Sequence, residues 1–141
     1  MKNICLFIFG LVVSNSIAQS KAVEYNDGTQ VLSGISMKPA NALKNKSGVL
    51  ILPAWMGIQN HEKEVAGKLA DLGYYTFIAD IYGVGQRPAN PKEAGAKAGY
   101  FKKNIKEYQT RIQLALEQLV KQGANPDEIA VIGYCFGGTG A

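Results

Sequence analysis

Three short apolar runs constrain this chain more than any other feature: GVLILP at 48–53, YYTFIA at 74–79 and EIAVIG at 128–133. None shows the apolar–polar alternation of a half-exposed strand, so each reads as a strand buried on both faces. Between the first two, residues 60–72 place Val65, Leu69 and Leu72 on one helical face. Asn60 is the expected cap, Lys63 stands where a capping-box acid would, Glu62 and Glu64 fall in the first turn, and Gly73 is the stop. After a loop rich in glycine and proline at 80–91, residues 92–122 read as a long helix broken near Gly99. Its apolar face is Ile105, Tyr108, Ile112, Ala115, Leu116 and Leu119. Buried strands alternating with helices predict an α/β fold, a mostly parallel sheet with helices on both faces. The sheet so described ends at EIAVIG, which predicts an open edge there.

Ahead of the first run, AVEY and QVLSGISM alternate around Asn26-Asp27-Gly28, a hairpin signal. Residues 41–47 are polar and read as a loop. With 141 residues, 47% of them hydrophobic, the chain suffices for one domain with a core and is too short for two. The net charge of +4 comes from scattered lysines with no basic stripe and no interleaved aromatics, which excludes nucleic acid as the expected partner. No internal repeat is present, no GxGxxG follows the first buried run, and no Gly-Lys-Ser/Thr follows the glycines near residue 137.

Residues 1–19 read as a separate unit, with domain sequence from 20 to 141. Lys2 gives a basic start, Ile4 to Val13 an apolar run, and Ser16-Ile17-Ala18 a small-x-small cleavage site, the three parts of a secretory signal peptide. The apolar run is about half the roughly 20 residues that span a membrane. The expected mature protein is exported, periplasmic or secreted, begins near Gln19 or Ser20, and has no membrane contact after cleavage. Removal of the signal takes Cys5 and leaves Cys135 as the single thiol, so no intrachain disulfide can form.

That thiol sits in IGYCFGG, a predicted strand entering Gly-x-Cys-x-Gly-Gly. The pattern is that of a nucleophile elbow with cysteine in place of serine. Gly133 and Gly137 would remove side chains that collide across the turn, and Gly138 would let the next helix start close to the sheet. The helix N-terminus favours negative charge on Cys135, and the Phe136 N–H is a natural oxyanion donor. The competing reading makes Cys135 a small buried residue in a tight turn. Among the other polar residues, Asp80 reads as a turn former bonding its own backbone. Tyr82 and Arg87 are candidates to face a substrate carboxylate, and Trp55 and Met56 to line a pocket mouth.

Residues 49–141, through VLILPAWMGI, ADLGYYTFIADIYG and IGYCFGG in that order, resemble the dienelactone hydrolase family, a cysteine-using branch of the α/β-hydrolases. The resemblance implies an α/β-hydrolase-like sheet truncated after the nucleophile elbow, and a Cys-Asp-His triad in that chain order. By that match Cys135 is the nucleophile, and the oxyanion hole uses the N–H groups of Phe136 and Trp55. Gly133, Gly137 and Gly138 are the elbow glycines. The implied substrate is a small ester or lactone, with no metal or organic cofactor. Ala54 stands where founding members of the family carry a glutamate, and the family's Asp and His lie on later strands. His61 precedes the cysteine and is expected to face solvent or cap a helix rather than act as the base. The expected function is therefore an exported ester or lactone hydrolase, here without its acid and base. A truncated, non-catalytic relative that binds a ligand or partner is the alternative; a class I glutamine amidotransferase is a third.

Overall fold

The computed structural model describes residues 20–141, so the expected signal segment at 1–19 lies outside the described residues. Five strands and four helices follow in the order β1 (Ser20–Asn26), β2 (Val31–Met37), β3 (Gly48–Leu52), α1 (Asn60–Asp71), β4 (Tyr75–Ile78), α2 (Pro91–Lys103), α3 (Ile105–Lys121), β5 (Ile129–Gly133) and α4 (Phe136–Gly140). They form one sheet in the order β1-β2-β4-β3-β5. The hairpin β1–β2 is antiparallel, β2 meets β4 antiparallel, and β4, β3 and β5 are parallel.

Strand order explains the two helical layers. From β3 the chain crosses to β4 on one side, and from β4 it crosses back over β3 to β5 on the other. Both crossovers must be right-handed, so opposite directions put their helices on opposite faces. On the α1 face Val49 and Ile51 of β3 pack with Met37, Ala66, Ala70 and Ile78. On the α3 face Leu50 and Leu52 pack with Phe77, Tyr108, Ala115 and Leu119. Neighbouring residues of β3 thus point to opposite cores, and Leu50, Ile51 and Leu52 are wholly buried. Because β3 and β5 are adjacent while their outgoing loops lead to opposite layers, the crevice at their carboxyl ends is a topological switch point. Sites in open α/β sheets form at such points.

The structure departs from the expected elements in three places. Among the described residues β5 is the edge strand, and there Ala130 and Val131 are exposed where the apolar run predicts burial. The long helix breaks at Asn104, not Gly99: its backbone leaves the helical region at φ −105° and ψ 59°, and its side-chain amide joins its N–H on the Tyr100 carbonyl, both at 2.9 Å. The cap of α1 is Gln59 rather than Asn60. One residue earlier, the acid position falls on Glu62 instead of Lys63, and the Glu62 carboxylate accepts the Gln59 N–H at 2.9 Å. Among the described residues no helix is long and apolar enough to cross a membrane.

Candidate active site

The elbow begins where β5 loses its ladder. Tyr134 N–H makes the last bond, to the Leu52 carbonyl at 3.1 Å, and Cys135 then adopts φ 50° and ψ −108°. A non-glycine residue in this region costs about 1–3 kcal/mol, held here by the packing around it. Gly137 N–H returns to the Tyr134 carbonyl at 2.8 Å and Gly138 N–H to the Cys135 carbonyl at 3.1 Å, closing the turn into α4. A Cβ on Gly133 would strike the Gly137 carbonyl, and one on Gly137 would strike the carbonyls of Leu52 and Pro53. Gly138 does not have the close approach expected of it: a Cβ there would meet nothing nearer than 3.6 Å. That approach belongs to Gly140, whose Cβ would lie 2.7 Å from Tyr108 and Ile112.

Among the described residues Cys135 is a free, exposed thiol, where the competing reading expects a buried one. Phe136 beside it is buried and stacked with two tyrosines. Its ring lies parallel to Tyr108 at 4.8 Å and to Tyr82 at 6.0 Å, and its carbonyl accepts the Tyr108 hydroxyl at 3.3 Å. Burial pushes the Tyr108 phenol up to about 12, so the hydroxyl remains a donor. Among the described residues the Phe136 N–H has no hydrogen-bond acceptor.

The loop after β3 lies against the elbow, since Leu52 and Pro53 are the groups that Gly137 touches. Three consecutive carbonyls of it are engaged: Ala54 by Gly57 N–H at 2.9 Å, Trp55 by the Tyr82 hydroxyl at 2.7 Å, and Met56 by the Gln59 amide at 3.3 Å. Ala54 N–H donates to the buried Glu62 carboxylate at 3.4 Å. Trp55 N–H, in contrast, has no acceptor among the described residues. The Trp55 side chain is 39% exposed, while Met56 is half-buried.

Tyr82 and Arg87 do not form the expected carboxylate-binding pair. Tyr82 is buried, and burial, with Tyr108 and Cys135 nearby, pushes its phenol well above the ordinary value. Arg87 instead donates to the Ser33 carbonyl at 3.2 Å and stands 4.0 Å from Asp80. Asp80 behaves as the turn former expected: Oδ1 accepts from Tyr82 N–H at 3.2 Å and Gly83 N–H at 3.0 Å, and Oδ2 from Ser33 N–H at 3.0 Å. His61 is exposed, and its ring meets Tyr134 edge-on at 4.8 Å.

Sequence reasoning missed Arg111. This buried guanidinium binds Asp27 at 2.8 Å, Glu107 at 2.9 Å and the carbonyls of Ile81 and Tyr82 at 2.7 and 3.1 Å, and lies over the Phe101 ring. Its place on the buried stripe Tyr108, Arg111, Ala115, Leu119 was the available signal. Among the described residues no group of three or more His, Cys, Asp or Glu side chains could hold a metal ion.

The model of the dienelactone hydrolase family matches residues 32–141. A protein of Aquifex aeolicus (strain VF5) named "Putative carboxymethylenebutenolidase" is 34% identical over 97 residues, 64% of this chain and 41% of that one. "Protein usf" of Aquifex pyrophilus is 28% identical over 97 residues, 65% of this chain and 42% of its own. Among solved structures, a chain titled m3DLH superposes with a TM-score of 0.81 at 27% identity, over 87% of this chain and 52% of that one. A dienelactone hydrolase-like promiscuous phosphotriesterase, P91, from metagenomic libraries superposes at 0.78 and 27%, over 86% and 51%. The chain thus spans less than half the length of these curated relatives and about half of these solved chains.

Proposed function

This chain belongs to the dienelactone hydrolase family, and from that membership we propose that it is the nucleophile-bearing portion of an exported ester or lactone hydrolase. The observation that carries the reading is the elbow: an exposed thiol held at φ 50° beside a Phe136 N–H that has no acceptor among the described residues.

In the proposed reaction the Cys135 thiolate attacks the substrate carbonyl carbon. The C–S bond forms as the carbonyl π electrons move to oxygen, where the N–H groups of Phe136 and Trp55 stabilise the oxyanion. Collapse expels the alkoxide or enolate, which takes a proton from the general acid and leaves a thioester. Water, deprotonated by the same residue acting as base, adds to the thioester; its collapse releases the acid and restores the thiolate. His61 packs on Tyr134, and this chain covers only about half of the relatives that it matches, so the base and its aspartate are assigned to the part of the protein that corresponds to their remaining length. The basic start, apolar run and small residues of 1–19 support export.

The test is hydrolysis of p-nitrophenyl acetate and of an enol lactone by the full-length protein, recovered from the exported fraction. Cys135→Ala should lower kcat a thousandfold or more, by the order of about 10³ or greater known for nucleophile removal. The exported protein should begin near residue 19 or 20. Activity that survives the substitution overturns the hydrolase reading; a protein retained inside the cell with residue 1 intact overturns export.

A further inference from the structure

Two backbone donors on different loops can serve one oxyanion only if their separation is held, and one side chain touches both loops. The Tyr82 hydroxyl donates to the Trp55 carbonyl at 2.7 Å, and the Tyr82 ring lies parallel to Phe136, 6.0 Å away and 6° from coplanar orientation. We propose that Tyr82 is a positioning residue that sets the Trp55 peptide relative to Phe136 and so aligns the two N–H donors of the oxyanion hole. This rests on the hydrolase reading above and assigns to it a residue that acts through the Trp55 carbonyl and the Phe136 ring.

The geometry supports the assignment in three ways. First, the Trp55 carbonyl and the Trp55 N–H flank one Cα, so fixing the carbonyl restricts the rotations that aim the N–H. The neighbouring Ala54 and Met56 carbonyls are held from within the same short segment, by Gly57 and Gln59; only the Trp55 carbonyl is held from another part of the fold. Second, Tyr82 is itself immobilised: Asp80 Oδ1 accepts its N–H at 3.2 Å and Arg111 donates to its carbonyl at 3.1 Å. Third, Phe136 is buried and also stacks on Tyr108, 4.8 Å between centroids and 7° from parallel, so the ring that Tyr82 meets is itself held by packing. The chain of contacts therefore runs from a buried ion-pair network through one phenol to both candidate donors.

The experiment uses the full-length protein with p-nitrophenyl acetate as substrate and a trifluoromethyl ketone as inhibitor, which forms a tetrahedral adduct with a thiolate. Tyr82→Phe keeps the ring and its stack and removes only the hydroxyl. It should lower kcat about 10- to 100-fold with KM within about twofold, somewhat less than loss of an oxyanion donor outright. The ketone should bind weaker by the same factor. Tyr25→Phe is the control: its hydroxyl binds the Asp80 backbone, at 3.1 Å from the N–H, in the same turn but without reaching Trp55. It should lower the Tm and leave kcat within about twofold. A Tyr82→Phe enzyme with unchanged kcat, or one whose loss is matched by Tyr25→Phe in proportion to Tm, overturns the positioning role. Either result leaves the hydrolase reading standing provided Cys135→Ala is inactive, so the two failures are told apart.

Discussion

Two turns leave parallel strands at the same end of the sheet, and they treat their backbone groups in opposite ways. After β4, Asp80 is buried and accepts three N–H groups, from Ser33, Tyr82 and Gly83, while Arg111 takes the carbonyls of Ile81 and Tyr82. After β5, Cys135 is exposed, strained at φ 50°, and followed by an N–H with no acceptor among the described residues. A buried polar group without a partner costs about 1–3 kcal/mol, so the first turn is what stability alone would select. The second retains strain and an open donor, the features that a site needs for a ligand atom absent from the resting chain. The difference separates a turn that supports the fold from one available for chemistry.

The comparison breaks most severely at Gly137. Its Cβ position faces the carbonyls of Leu52 and Pro53, backbone atoms of a fully buried strand end that cannot swing aside as a flexible side chain would. Gly137→Ala should therefore destabilise by about 4 kcal/mol or more, at the extreme of single substitutions. Gly138→Ala, one residue on, meets only ordinary contact at 3.6 Å and should shift stability by less than about 0.5 kcal/mol. Urea unfolding of the two variants checks the contrast; equal effects would show that the elbow is not held by the approach to β3.

At the other turn, Asp80→Ala removes the acceptor of three N–H groups at once. Water entering the vacated volume can satisfy some of them, so the expected cost is about 3 kcal/mol rather than the full sum. Urea unfolding of the variant gives the value; a cost below about 1 kcal/mol would mean that the turn's order comes from Arg111 instead.

These two turns also differ in how plainly they could be read beforehand. The elbow was legible because its chemistry is local: GYCFGG carries the turn, the nucleophile and the glycine spacing within a few residues of a strand. The three parallel strands were legible as apolar runs, and Asp80 as a turn former. What stayed hidden depends on pairing across the fold. Gln59 caps α1 because Glu62 is drawn inward to the loop after β3, and Asn104 breaks the long helix through a side-chain bond that no periodicity reports. Tyr82 and Arg87 each looked free to bind a ligand, yet their partners, Trp55, Ser33 and Asp80, come from 7 to 54 positions away.

The smallest effect concerns the ion pair beneath the Asp80 turn. Burial raises the Asp27 carboxyl, but the N–H groups of Thr29 and Gln30, the Thr29 hydroxyl and then Arg111 outweigh it and bring the pKa from 3.8 to about 2. A depressed folded-state pKa means that the ionised form is bound more tightly in the native state. The stability it contributes is complete above the unfolded value of 3.8 and is lost as pH falls through about 2. Protonation weakens the hold of Asp27 on Arg111, whose other partners, Glu107 and two carbonyls, remain, so the turn should loosen without unfolding. In urea titrations at several pH values, Asp27→Asn should be less stable than the parent at pH 5 to 7, and the gap should narrow steadily between about pH 4 and pH 2. A gap independent of pH would mean that Asp27 serves the hairpin turn by shape alone, and that the support beneath Tyr82 rests on Glu107 and the Arg111 carbonyl bonds.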